Sequence, residues 1–146
     1  MSTAATDPVC ALPAPDVPVD ELRRRARVAR DELGSRAVVL GHHYQKDEVI
    51  EFADITGDSF LLAQRGAAAT EAEFIVFLGV YFMAESADVL AAPHQRVVLP
   101  DLGAGCHLAE TADIFTVRDA WQQLTGRFPD RRIVPLTYMN SGADLK

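Results

Sequence analysis

Ala37-Val38-Val39-Leu40-Gly41-His42-His43-Tyr44-Gln45 runs from four apolar residues through a glycine into side chains that carry chemistry. The apolar part is too short for a helix and lacks polar alternation. It reads as a strand, Ala37 to Leu40, covered on both faces as in a parallel sheet. Phe74-Ile-Val-Phe-Leu78 and Arg96-Val-Val-Leu99 repeat the pattern. Helical spacing fills the intervals. Leu22, Ala26, Val28 and Leu33 recur among charged residues, with Asp20 as a cap and Gly34 as the stop. Asp47 to Arg65 is helical in pattern, broken near Thr56-Gly57, with Asp58 suited to capping the second piece. A further helix is expected from about Met83 to Ala91, others after Cys106 and over Val117 to Leu124, and a fourth strand over Ile133 to Thr137. Strands and helices in alternation predict an α/β fold, a three-layer αβα sandwich with a short parallel sheet.

The 146 residues suffice for one core, or for one domain and the opening of another. The expected organisation is a flexible lead-in over 1–19, with its four prolines; an αβα domain over 20–115; and, over 116–146, a connecting helix and the start of a truncated second domain. A net charge of -7 argues against a general nucleic-acid surface, while leaving room for a small basic pocket. The amino-terminal stretch lacks the basic start and apolar run of a signal peptide, and no segment reaches the length of a membrane span. Cys10 and Cys106 are too far apart in sequence and context to suggest a disulfide framework. A cytoplasmic, reducing home is the expectation.

In a parallel sheet, ligands bind in loops at the carboxyl ends of the strands. Those loops carry His42, His43 and Tyr44; Tyr81 and Glu85; and Cys106 with His107. An imidazole shuttles protons near neutral pH, and a phenol donates to a developing oxyanion. Alternation at a strand end implies that only one of the two adjacent histidines faces a ligand. Asp58-Ser59 opens a helix whose free amides could hold an anion, but plain capping by Asp58 explains the same residues. Gly103 and Gly105 allow close approach or present amides beside Cys106, which is otherwise a small buried cysteine in a tight turn. Tyr138 and Asn140 end the fourth strand with polar groups, and alternation turns Met139 into packing. Phe74, Phe77, Phe82, Met83, Trp121 and Ile133 are expected in the core.

Five short blocks in order carry a resemblance: Leu40-Gly-His-His-Tyr-Gln45, Gly57-Asp-Ser59, Phe77-Leu-Gly-Val-Tyr-Phe-Met-Ala-Glu85, Pro100-Asp-Leu-Gly-Ala-Gly-Cys106 and Thr137-Tyr-Met-Asn140. Together they resemble the quinolinate synthase family over about residues 37–146. The resemblance implies three similar α/β domains around a pseudo-threefold axis, of which this is the first. It implies a transferase that condenses iminoaspartate with dihydroxyacetone phosphate to quinolinate in NAD biosynthesis. Iminoaspartate would come from L-aspartate oxidase or aspartate dehydrogenase. It further implies a 4Fe-4S cluster held by one cysteine from each domain, with Cys106 as the first-domain ligand and an open iron position acting as a Lewis acid.

By the same resemblance His42 and Ser59 hold substrate carboxylates, and His42 also transfers a proton. Tyr44 belongs to the catalytic wall. Tyr138, Met139 and Asn140 are matched to substrate contacts, with a catalytic part for Tyr138. Asp58 supports Ser59, while Phe82 and Glu85 shape the wall. The chain departs from the pattern at His107, where a small residue commonly follows the cysteine, and His43 takes no role from the match. It also lacks the rest of the second domain, the third domain and two cluster cysteines, so alone it is expected to be inactive. Two other classes stand beside this reading: a non-catalytic small-anion binding or interaction fragment, and a cluster-independent thiol transferase using Cys106 and His107.

Overall fold

A computed structural model describes residues 16–146, which fall into two compact units divided between Glu32 and Leu33. Cys10 and most of the expected lead-in lie outside the described residues. Helix α1, Val19–Leu33, begins one residue before Asp20, because its first turn closes on the Pro18 carbonyl, which accepts from Glu21 and Leu22. Asp20 is therefore a first-turn residue and not the cap. Glu21 accepts from Arg24 at 2.7 Å and Arg25 at 2.8 Å. Those guanidinium bonds hold its carboxyl down at about 2. The expected stop is found after Leu33, where Gly34 takes a φ of 52°, a left-handed conformation open to glycine at little cost.

The second unit contains a four-stranded parallel sheet in the order β2-β1-β3-β4. Its strands are β1 (Ala37–His42), β2 (Ile55–Gly57), β3 (Phe74–Leu78) and β4 (Arg96–Val98). The helices are α2 (Asp47–Ile50), α3 (Ser59–Ala68), α4 (Tyr81–Leu90) and α5 (Ile114–Arg127). Register aligns Val38 with Ile75 and Leu40 with Phe77, so these four side chains share one sheet face. They build the core with Leu62 and Ala63 of α3 and Phe82, Met83 and Ala87 of α4. On that face α3 packs so closely that a Cβ at Gly66 would lie 2.9 Å from Leu40 Cδ1. Gly41 points to the other face, where a Cβ would collide with Ile50 of α2 and stand 2.7 Å from the Ala53 Cβ. Chain thus covers β1 from both sides, the layering expected of an αβα domain.

The structure departs from the sequence expectations at several points, for identifiable reasons. The break near Thr56 is a strand: β-branched Ile55 and Thr56 pair with Leu40 and Gly41 on the open edge of β1. Asp54 secures that edge, its carboxylate accepting from the Val39 N–H at 2.7 Å and its own N–H donating to the Val39 carbonyl at 2.8 Å. Conversely, Ile133–Thr137 forms no strand among the described residues. Pro135 removes a ladder donor, and with no neighbouring strand Leu136 is left 99% exposed. Helix α4 starts at Tyr81, two residues earlier than expected. Helix α5 runs longer than expected, capped by the Asp113 carboxylate on the Phe115 and Thr116 N–H groups. Trp121 on that helix is 38% exposed and not in the core, while Phe77, Phe82 and Met83 are buried as expected. Phe74 is half-buried beneath Arg36, whose guanidinium lies 5.7 Å from the ring centre and is paired with Glu73.

The contact at Gly41 yields a direct expectation. Gly41→Ala must displace α2 or the following turn, so urea unfolding should show a loss of about 1–3 kcal/mol. Unchanged stability would mean that β1 is not clamped on that face.

Candidate active site at the strand ends

Strands β1 and β2 end side by side, and the loops leaving them supply one wall of the site. After His42 the chain turns at once, with the Gln45 N–H donating to the His42 carbonyl at 2.9 Å. That turn ends strand alternation, so His42 and His43 do not point apart. Their rings stack at 4.5 Å, and the Tyr44 ring stands edge-on to both, at 4.9 Å and 4.4 Å. The expectation that only one of the pair faces a ligand is corrected: both line the same cavity, together with Tyr44.

After Gly57, Asp58 caps α3 by accepting from the Phe60 and Leu61 N–H groups at 3.0 and 2.9 Å. Its carbonyl takes the Leu62 N–H. The amides that could have cradled an anion are thus largely occupied by the protein's own carboxylate, and capping is the better account of this helix start. Ser59 is buried and faces the cavity beside Asp58.

Cys106 comes from the opposite wall. Its loop is a tight turn: the Gly103 N–H donates to Asp101 Oδ1 at 2.8 Å, and the Gly105 N–H to the Gly103 carbonyl at 2.8 Å. These amides serve the turn, so they are not presented to a ligand. Gly105 instead provides close approach, since a Cβ there would collide with the Glu110 carboxylate. The loop is tied to α4 by the Tyr81 N–H, which donates to the Ala104 carbonyl at 2.9 Å, and the Cys106 carbonyl accepts from the Glu110 N–H at 3.1 Å. Cys106 is a half-buried free thiol.

His42, Tyr44, Ser59, Cys106 and Asn140 therefore line one cavity of about 520 Å³, completed by Val80, Phe82 and Met83. A second cavity of about 490 Å³ shares Phe82, Gly105 and Cys106 and adds Glu85, Glu110 and Asp144. Cys106 thus opens on both. Tyr138 is 76% exposed and does not line the first cavity, while Met139 packs against the core cluster. His107 is exposed and lines neither cavity, which counts against a Cys106–His107 pair. Among the described residues no three His, Cys, Asp or Glu side chains converge to hold a metal ion. Sequence reasoning missed His43 as a lining residue, and the signal available was the polar His43-Tyr44-Gln45 run, where the turn falls.

Burial is the main cause holding His42 below its ordinary value of 6.5; neighbouring His43 adds to this, and Asp58 opposes it. A half-buried imidazole kept neutral, beside a phenol, a hydroxyl, an amide and a thiol, is equipped to accept a proton from a polar ligand.

Fold and site together define a parallel α/β protein whose small-molecule cavity opens at the carboxyl ends of its strands. The family model for quinolinate synthetase A protein matches residues 25–146, and the chain belongs to that family. It is 56% identical over 135 residues to a quinolinate synthase of Streptomyces coelicolor, covering 92% of this chain and 34% of the relative. Against quinolinate synthases of Nocardioides sp. and Geobacillus thermodenitrificans the identity is 58%, covering 86% and 87% of this chain and 32% and 34% of the relatives. The chain thus spans about a third of the length of these curated relatives. No described helix is long and apolar enough to cross a membrane.

A histidine with a folded pKa below its unfolded value contributes full stability above about pH 6.5 and loses it as pH falls toward the folded value. An NMR titration should place His42 below 6.5. His43→Gln should raise its midpoint by removing a like charge, and Asp58→Asn should lower it further. Equal midpoints in all three proteins would refute this account of the site's electrostatics.

Proposed function

We propose that this chain carries the first of three αβα domains, and the opening of the second, of a quinolinate synthase, which condenses iminoaspartate with dihydroxyacetone phosphate to quinolinate in NAD biosynthesis. The observation that carries the reading is the single cavity shared by His42, Tyr44, Ser59, Cys106 and Asn140, residues drawn from separate loops and all matched by the family pattern. In this reading the second domain opens within 116–146, and the exposed Ile133–Thr137 segment is its first strand, awaiting neighbours. The enzyme works in the cytoplasm, fed with iminoaspartate by L-aspartate oxidase or aspartate dehydrogenase.

Each lining group has a task its surroundings suit. Ser59, fixed at the start of α3, donates to a substrate carboxylate, and Asp58 holds the helix end that positions it. His42, neutral near physiological pH, accepts a proton from the carbon or oxygen acid beside it and returns it later. Tyr44, at the cavity mouth, donates to an enol or carbonyl oxygen during keto–enol exchange. Asn140 offers both a donor and an acceptor from the far wall. Tyr138, from the exposed segment, would reach substrate across the domain boundary.

One thiol opening on both cavities fits a single attachment point for a 4Fe-4S cluster. The described residues do not supply a complete ligand set. The family pattern puts the other two thiolates in portions of the relatives that this chain does not cover. When bound, such a cluster supplies an open iron position that polarises substrate oxygens.

The test is a chimera in which residues 25–146 replace the matching third of the Streptomyces coelicolor relative, reconstituted anaerobically. It should form quinolinate, while the 146-residue chain alone forms none. Cys106→Ser should abolish activity, and His42→Ala should lower kcat/KM roughly 10²–10⁴-fold. A folded chimera without quinolinate synthesis, beside an active parent, would refute the reading, as would undiminished activity in the Cys106 variant.

A further inference from the structure

Asn140 enters the cavity from a segment without regular secondary structure, so no ladder or helix holds it in place. The segment is instead pinned on either side of Asn140. On one side Met139 packs against the core cluster. On the other, Ser141 is only 4% exposed and closes a tight turn, its N–H donating to the Met139 carbonyl at 2.9 Å and its hydroxyl to the Tyr138 carbonyl at 2.8 Å.

The element that ties this turn to the body of the domain is α4. The Ala143 N–H donates to Glu85 Oε2 at 3.1 Å, a bond across 58 positions of sequence. One residue further along α4, the Ser86 hydroxyl donates to the Phe82 carbonyl at 2.8 Å and accepts from Lys146 Nζ at 3.3 Å. Lys146 also donates to the Ser141 carbonyl at 3.0 Å, with its ammonium 5.6 Å from the centre of the Phe82 ring. The tethers made by Glu85 and by Lys146 are both charge-assisted, and that of Glu85 is the one that holds a backbone N–H of the segment. Glu85 lies one turn beyond Phe82, which lines the cavity that Asn140 enters.

We propose that Glu85 is a positioning residue: by holding the Ala143 amide it fixes the 139–143 turn and keeps the Asn140 side chain in the cavity with His42, Ser59 and Cys106. This goes beyond a passive wall, and for its catalytic consequence it rests on the reading of Asn140 as a substrate contact.

Two measurements separate the structural claim from the functional one. In the 146-residue chain, Glu85→Ala should speed hydrogen exchange at the Ala143 amide by at least about tenfold, the equivalent of one lost hydrogen bond. It should also shift the Asn140 side-chain amide resonance. Glu85→Gln, which keeps an acceptor oxygen, should restore both, and urea midpoints check that each variant folds. In the chimera with the Streptomyces coelicolor relative, Glu85→Ala should raise KM by about 10–100-fold, the range for a bond to a charged group. The double variant with Asn140→Ala should be no worse than Asn140→Ala alone. Unchanged exchange and resonance in a folded Glu85→Ala protein would overturn the proposal, as would losses that multiply in the double variant. A chimera that makes no quinolinate would refute the enzymatic reading, while the exchange data would still decide the part played by Glu85.

Discussion

Strand β1 has neither a free edge nor a free face. It is hydrogen-bonded to β2 on one side and β3 on the other, and four of its first five residues carry side chains that must be buried. Leu40 presses on Gly66 of α3, while on the opposite face Gly41 leaves no room for a methyl group beneath Ile50 and Ala53. A strand clamped in this way fixes where its carboxyl end emerges. His42 is the last residue of that strand, so its backbone position is set by packing that has nothing to do with chemistry. Sites built on the rigid ends of buried elements are held more tightly than sites on free loops.

The electrostatics have their origin in the same geometry. The turn after His42 folds three rings into mutual contact, and the imidazole of His42 is partly withdrawn from water with His43 stacked on it. Both effects disfavour the charged ring. Asp58 pulls the other way, but its carboxylate is already engaged with two amides of α3. The helix start therefore presents Ser59 as a neutral donor, with its positive pole offset by Asp58. The polar groups left to this wall of the cavity are the Ser59 hydroxyl, the Tyr44 phenol and the two imidazoles.

Some of this is legible in the sequence, and the rest is hidden for physical reasons. Continuous apolar runs betray β1 and β3 because strands covered on both faces need no polar alternation. Asp58 is readable as a cap because its role depends on residues two and three positions away. The strand Ile55–Gly57 is not readable, since three residues pair only because they meet the edge of β1 that β3 does not occupy, a fact of tertiary structure. Ile133–Thr137 errs in the opposite direction: its composition suits a strand, but a strand needs a partner and the described residues offer none. At the two histidines alternation misleads, because a turn has already ended the strand. In each case the local chemistry is legible and the neighbour is not.

Helix α4 joins the parts that sequence separates most widely. Its first N–H holds the cysteine loop through Ala104, its first turn lends Phe82 and Met83 to the cavity, and its second turn carries Glu85 and Ser86 toward the 139–146 segment. Phe82, Met83, Ala84 and Ala87 are buried on the helix, which anchors it to the sheet by apolar packing. A displacement of α4 would therefore move Cys106 and Asn140 together relative to His42 and Ser59, which are held by β1 and α3. The cavity is a seam between two groups, one carrying His42 and Ser59 and the other carrying Cys106 and Asn140. Their relative position depends on the tight packing of α3 against α4, where small residues such as Ala63 and Ala87 permit close approach. The geometry of the site is in this sense a property of the core, two of whose residues, Phe82 and Met83, also line the cavity.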